Sequence, residues 1–239
     1  MRPITYIICA AGNGERFRSN GLDLPKPLIK FNGKTMLERS LQSLEVCPGD
    51  QIILITRATD KVRVALPQDL ASTWLEIEAP TGSQLETALL AESKILHEDL
   101  AIYNCDTFFR SENLRSDIED GNYDGIIPCS LEPGSSWSFC EVDTDDNVLR
   151  VAEKERISDW ASVGYYYFKG KGLFLETAKE ECRSVRGKEA YVAPLYNRYL
   201  AARCKIKMNR VDEFLPFGTF DQINDYWGIT LDELITQNR

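Results

Sequence analysis

Ile4-Thr5-Tyr6-Ile7-Ile8-Cys9-Ala10-Ala11-Gly12-Asn13-Gly14-Glu15-Arg16-Phe17 opens with an unbroken apolar run and ends in two glycines and a cation. Hydrophobicity that is continuous rather than alternating marks a strand buried on both faces of a parallel sheet. The run feeds directly into Gly12-Asn13-Gly14, a backbone-permissive turn. Glycines placed directly after such a strand let main-chain N–H groups approach phosphate oxygens. Two standard phosphate loops do not fit. A dinucleotide fold needs a third glycine where Phe17 stands and an acid at the tip of the second strand, where Thr56-Arg57 stands. A Walker loop needs Gly-Lys-Ser/Thr after four intervening residues, and no such string follows Gly12.

Working outward, Thr35-Met36-Leu37-Glu38 is a capping box, and Leu37, Leu41 and Leu44 follow on one helical face. Ile52 to Thr56 reads as a second buried strand. Ser83-Gln84-Leu85-Glu86 is another capping box, opening a helix that buries Leu85, Ala88, Leu89 and Ile95, and Leu100 to Asn104 is the next strand. Strand and helix thus alternate from residue 4 to about residue 127, which predicts right-handed crossovers in an α/β fold, a mainly parallel open sheet flanked by helices. From Ser138 the texture changes. Ser138 to Val142 and Val148 to Val151 flank a turn at Asp145-Asp146-Asn147, a small antiparallel insertion. Ala161 to Lys169 is an aromatic strand, helices follow near 173–183 and 191–203, Lys205 to Val211 is a strand, and a last helix starts after Leu231. No linker or repeat interrupts the chain, so residues 1–239 are expected to form one domain, with a second half that completes a site on the first.

The 239 residues are 43% hydrophobic and 27% charged, a globular mixture. No apolar run reaches the roughly 18 residues of a membrane span, and the N-terminus lacks the pattern of a signal peptide, so a soluble cytoplasmic protein is expected. The formal charge of −9 argues against nucleic acid or anionic lipid as a partner. Seven cysteines without a C-x-x-C pair read as reduced thiols. A single histidine, His97, removes the multi-histidine metal sites and leaves a Ser-His-Asp triad dependent on that one residue. Against this acidic background, the segment from Glu15 to Lys34 carries five cations (Arg16, Arg18, Lys26, Lys30, Lys34) and two acids (Glu15, Asp23), a net +3. An anionic ligand is implied here, with Arg16 and Lys26 placed to neutralise it. Asp106, at the carboxyl end of a predicted strand where ligands collect in open α/β sheets, suits Mg²⁺, which takes one or two carboxylates plus substrate phosphates. Capping of the segment Thr107-Phe108-Phe109 is the less favoured alternative for Asp106.

Ala10-Ala11-Gly12-Asn13-Gly14-Glu15-Arg16-Phe17 followed by Pro25-Lys26-Pro27-Leu28 resembles the signature of the sugar-phosphate nucleotidylyltransferases, pyrophosphorylases that make nucleotide-activated sugars and related head groups. The resemblance implies a Rossmann-like, GT-A-like fold, with about residues 1–127 binding the nucleotide and about 128–239 binding the acceptor. Ala10, Ala11, Gly12, Gly14, Thr81, Gly82 and Gln84 then face the nucleotide, although Thr81-Gly82-Ser83 is equally good capping chemistry. Arg16 and Lys26 are the implied catalytic cations, and Asp106 the implied Mg²⁺ ligand. Glu153, Lys154 and Gly164 are placed on a phosphorylated acceptor, while a solvated salt-bridging pair remains an alternative for Glu153-Lys154. Gly187-Lys188-Glu189 is similar to a further contact of the family, but an ordinary surface loop is the favoured reading there. Many relatives carry a second metal-binding aspartate two residues before a Gly-Thr pair, and here that position is Pro216, which leaves Asp221, with Asp212 as substitute.

The expected reaction joins an NTP, with CTP or UTP favoured, to a sugar 1-phosphate or another phosphorylated polar head group. Pyrophosphate leaves, and the product feeds surface-polysaccharide or cell-envelope synthesis. A GT-A-type glycosyltransferase is the first alternative, disfavoured because Asn104-Cys105-Asp106 lacks the first acid of a D-x-D pair. A catalytically inert nucleotide-binding regulator is the second.

Overall fold

The apolar run at the N-terminus folds as β1 (Ile4–Ala10), and the glycine loop leads into the one-turn helix α1 (Glu15–Arg18). This is a computed structural model, and it describes residues 1–67, 69, 71–185 and 189–239. The chain continues through a short ribbon, β2 (Lys30–Phe31) and β3 (Lys34–Thr35), to α2 (Met36–Leu41), β4 (Gln51–Arg57), α3 (Val62–Ala65), β5 (Thr73–Ile77) and α4 (Gln84–Leu89). Next come β6 (Asp99–Asn104), β7 (Thr107–Arg110), α5 (Leu114–Asp120), β8 (Gly125–Leu131), β9 (Ser138–Val142), β10 (Val148–Glu153), β11 (Trp160–Ser162) and β12 (Tyr165–Lys169). The last elements are α6 (Lys171–Ser184), α7 (Leu195–Ala201), β13 (Ile206–Arg210), β14 (Glu213–Pro216), α8 (Phe220–Trp227) and α9 (Leu231–Gln237).

One sheet runs in the order β10-β9-β11-β8-β12-β6-β1-β4-β5, with β13 added parallel to β8. Strands β6, β1, β4 and β5 are parallel neighbours, as the alternating first half requires. β1 is buried on both faces. Ile7 joins Ile53, Ile55, Leu100 and Ile102 in one apolar cluster, while Tyr6 and Ile8 join Leu54, Ala101 and Tyr103 in the other. The predicted antiparallel hairpin is β9–β10, and it extends this same sheet through β11. A third cluster, including Phe17, Phe31, Phe217, Ile223 and Leu234, fastens the segment after the glycine loop to the two C-terminal helices.

Local readings meet the structure unevenly. The box at Thr35 forms in full, with Thr35 Oγ1 accepting from Glu38 N and the Glu38 carboxylate accepting from Thr35 N. At Ser83 only half forms. Ser83 Oγ accepts from Glu86 N, but the Glu86 carboxylate takes the Gly82 N–H instead. The single strand expected over Ala161 to Lys169 is two strands, because the backbone turns at Gly164 with φ at 85°. The helix expected to start at 191 starts at Leu195, after Pro194. Helix α8 and the ribbon β7–β14 carry too few periodic positions to be read from sequence alone. All seven cysteines are free, and among the described residues no helix is long and apolar enough to cross a membrane.

The start of β1 is tied to the rest by buried charge. Asp50, whose side chain is fully buried, accepts from Ile4 N at 2.8 Å, Cys47 N at 2.8 Å and Arg115 Nη1 at 3.0 Å, while Arg115 Nη2 donates to the Arg2 carbonyl. Removing Asp50 leaves the buried Arg115 with only the partly exposed Glu119 as an ionic partner, and strips the Ile4 and Cys47 N–H groups of their acceptor. Asp50→Ala should lower unfolding stability by about 3–5 kcal/mol in urea titrations, the scale of a broken buried pair; a loss under about 1 kcal/mol would show that this network is not what anchors β1.

Candidate functional site

Two lobes of one cleft open beyond the carboxyl ends of the parallel strands, where open α/β sheets bind ligands. The first, about 360 Å³, is lined by Ala10, Ala11 and Gly12 from the end of β1, Lys26, and Thr81, Gly82 and Gln84 at the start of α4. The second, about 600 Å³, is lined by Arg16, Glu153, Lys154, Gly164 and Asp221. They meet at Gln84, Asn104 and Asp106, which with Glu189 line both. Gly187 and Lys188 lie outside the described residues.

Asp106 stands two residues beyond the end of β6. Lys26 Nζ sits 2.5 Å from Asp106 Oδ2, and both side chains are only partly exposed. Pro25 and Pro27 flank this lysine at the entry to a 3-10 turn, which presents it to the cleft. Gln84 Nε2 donates to Asn104 Oδ1 at 2.7 Å, joining the first turn of α4 to the end of β6. Two other segments come so close to this strand end that an added side chain would displace the Asn104 or Asp106 side chain. A Cβ on Gly164 would stand 2.5 Å from Asn104 Nδ2, and one on Gly218 would stand 2.8 Å from Asp106 Oδ2. The backbone closes the same contacts, Asn104 N donating to the Gly164 carbonyl and Phe217 N to the Asp106 carbonyl, each at 3.0 Å.

In the second lobe the Glu153 carboxyl is held above the usual carboxylate range by burial, against the Ser138 hydroxyl and the Lys154 ammonium, which lower it. Its Oε2 accepts a short hydrogen bond from Ser138 Oγ. Lys154 turns the chain out of β10 with φ at 56°, a left-handed conformation that costs a non-glycine residue about 1–2 kcal/mol. Such strain concentrates at functional sites. Lys154 Nζ donates to Tyr191 Oη at 2.6 Å and lies 4.6 Å from that ring's centre, and Tyr191 in turn donates to Glu189 Oε2 at 2.5 Å. The hydrogen bond to Tyr191 raises the Lys154 pKa, so the ammonium stays charged. Glu153-Lys154 is therefore not an isolated solvated pair.

The structure also separates residues that the sequence reading grouped. Arg16 lines the second lobe, not the lobe of Gly12. Gly14 lines neither and starts α1 in the left-handed region, φ 64°. The Gly82 N–H, in the segment placed on the nucleotide, is committed to Glu86 at 2.7 Å. Asp221 stands in the first turn of α8 and lines the lobe with Asp106, whereas Asp212 does not reach the cleft. The ribbon β7–β14 carries Asp212 to the end opposite Asp106, where it is exposed and accepts from Glu112 N. Pro216, in place of the relatives' aspartate, is buried against Thr107 in that ribbon. His97 lines neither lobe. Sequence reasoning missed Trp137, Ser138, Tyr191 and Tyr226, all lining the second lobe, because only the tertiary fold brings them there.

Because the Glu153 carboxyl titrates above its unfolded value, the folded chain holds its proton after the unfolded chain has lost it, and this contribution to stability is lost as pH rises through that window. The Glu153→Gln variant lacks this dependence. Its stability relative to wild type should rise from pH 4 upward in denaturant titrations, and a difference that stays flat with pH would remove the assignment.

The Streptococcus equi subsp. zooepidemicus bifunctional protein GlmU is 25% identical over 245 aligned positions that cover 98% of this chain and 52% of that protein, so the chain spans about half the length of this relative. The crystal structure of a nucleoside-diphosphate-sugar pyrophosphorylase from Vibrio cholerae RC9 superposes with a TM-score of 0.77 at 26% identity, covering 92% of this chain and 98% of that one. An inositol-1-phosphate CTP transferase from T. maritima shares the fold with a TM-score of 0.76 at 14% identity, over 98% of this chain and 97% of that one. With residues 6–144 matching the model of the MobA-like NTP transferase domain and a cleft built around the glycine loop of that segment, the chain belongs to this family of nucleotidyltransferases.

Proposed function

We infer that this chain transfers a nucleoside monophosphate from an NTP to a phosphorylated acceptor. One observation carries the reading: two lobes, each with its own lysine, meet at Asp106. The first lobe takes the nucleotide, with the backbone of Ala10 to Gly12 against the phosphates and Lys26 supplying charge. The second takes the acceptor, with Lys154 on its phosphate and Glu153 on its polar body. An acceptor phosphate oxygen attacks the α-phosphorus in line, a new P–O bond forms, and the bond to the bridging oxygen breaks so that pyrophosphate leaves with the electron pair. No covalent intermediate and no histidine is needed. Positioning and charge stabilisation do the work.

The donor set fits Mg²⁺. Asp106 offers hard carboxylate oxygens at the junction, one of them shared with Lys26, and Asp221 is a second carboxylate on the same lobe. Mg²⁺ takes one or two carboxylates plus substrate phosphates. When bound, Mg²⁺ would neutralise charge on the transferred phosphoryl group. Arg16, on the second lobe, adds positive charge on the acceptor side.

CTP or UTP is the favoured donor, from the resemblance to short members of the family. The acceptor is a sugar 1-phosphate or another phosphorylated polar head group, and the product a precursor for surface polysaccharide or the cell envelope. Seven free thiols accord with a reducing cytoplasm. Incubation with each NTP, Mg²⁺, inorganic pyrophosphatase and a panel of phosphorylated acceptors tests the reading. Phosphate release that requires an acceptor supports it, and none with any pair favours an inert nucleotide-binding regulator. Asp106→Asn should lower that rate by about 10²-fold or more with the fold intact, the scale of losing a pre-placed charge at the reacting phosphate; an undiminished rate would remove Asp106 from the reaction.

A further inference from the structure

Arg57 is the last residue of β4, one step beyond the register pair of Ala10 with Thr56, and so stands beside the glycine loop. Its guanidinium is held by both oxygens of Asp60, Nε to Oδ2 at 2.9 Å and Nη2 to Oδ1 at 2.8 Å. The remaining nitrogen, Nη1, donates to Asn13 Oδ1 at 2.8 Å. Side-chain exposure is 11% for Arg57 and 5% for Asp60, so the pair is largely withdrawn from water. Asn13 lies between Gly12 and Gly14 and lines the first lobe. The charge of Arg57 is matched by Asp60, and its free face points to Asn13.

We propose that Arg57 and Asp60 are positioning residues for nucleotide binding, a clamp that acts through Asn13 to hold the phosphate-facing loop in its bound form before the ligand arrives. The inference rests on reading the first lobe as the nucleotide's. Two glycines give this loop the largest backbone entropy to lose on ordering. A binding loop that is already ordered spares that cost, and the gain appears as affinity. Only a planar fork makes three such bonds at once, so lysine at 57 cannot reproduce the clamp.

The test is a double-mutant cycle on nucleotide affinity. Asn13→Ala, Arg57→Lys and the double variant are titrated with each NTP and Mg²⁺ by calorimetry, and KM for the NTP and kcat are measured alongside. Each single variant should weaken NTP binding about tenfold, the scale of one hydrogen bond to a charged group, with kcat at saturation changed less than about threefold. The double variant should be no weaker than the worse single, because both substitutions break the same link. Asp60→Asn should weaken binding in the same direction. Asn13 is exposed, so its variant tests the clamp even if Arg57→Lys unfolds. Losses that multiply in the double variant, or unchanged affinity in Asn13→Ala, overturn the clamp. A wild-type protein that binds no NTP overturns the nucleotide reading and this inference with it; a wild type that binds while the variants bind equally well overturns only the inference.

Discussion

Steric room at the end of β6 is the constraint on which the site depends. Asn104 and Asp106 must be approached from two sides by backbone alone, by Gly164 between β11 and β12 and by Gly218 before α8. A larger residue at Gly164 presses on the Asn104 side chain and one at Gly218 on the Asp106 carboxylate, and Gly164 also carries a backbone angle that side chains resist. Gly164 brings in the antiparallel extension with Glu153 and Lys154, while Gly218 brings in Asp221. The parallel half of the sheet would exist without these contacts. The second lobe would not.

Charge is arranged in pairs that a phosphate can compete for. Lys26 rests on Asp106, and Lys154 rests on Tyr191, which leans on Glu189. Both lysines are thereby ordered at the cleft without being buried as lone charges, which would be costly. A phosphate arriving in either lobe meets a cation already in place, and the side-chain entropy of holding a long lysine still has been met by these contacts. Arg57 differs from these two. Its carboxylate partner is nearly buried and takes both nitrogens of one edge, so it orders the loop rather than greeting the ligand.

Much of the parallel half was legible in the sequence because its signals are local. The run Ile4 to Ala11, the capping box at Thr35 and the strand ending at Asn104 each state their own structure within a few residues, and the glycine loop with Pro25-Lys26-Pro27 marks the first lobe. The second lobe was less legible because it is assembled from afar. Tyr191 follows α6, Trp137 precedes β9 and Tyr226 lies in α8, and no spacing in the chain announces that they meet. The break at Gly164 was hidden by the aromatic run that follows it, since four consecutive aromatics from Tyr165 read as strand whatever precedes them. Asp212 and Asp221 could not be separated by sequence distance. The ribbon β7–β14 separates them, running Asp212 away from Asp106 while Pro216 turns the chain back beside it.

The third apolar cluster makes the two lobes one mechanical unit. Phe17, next to Arg16, and Phe217, next to Gly218, are both fully withdrawn from water within it, and Phe31 packs edge-on against Phe217 and Trp227. A shift of α8 that moved Asp221 would therefore disturb the packing beneath the segment carrying Arg16 and Lys26, because close-packed interiors transmit displacement rather than absorb it. Lys26 itself lies 5.8 Å from the centre of the Phe17 ring. The C-terminal helices, which contribute one acidic side chain to the cleft, thus brace the cationic loop on the other side of it. Precision at Asp106 follows from that brace together with the two glycine contacts, and it is available before any ligand binds.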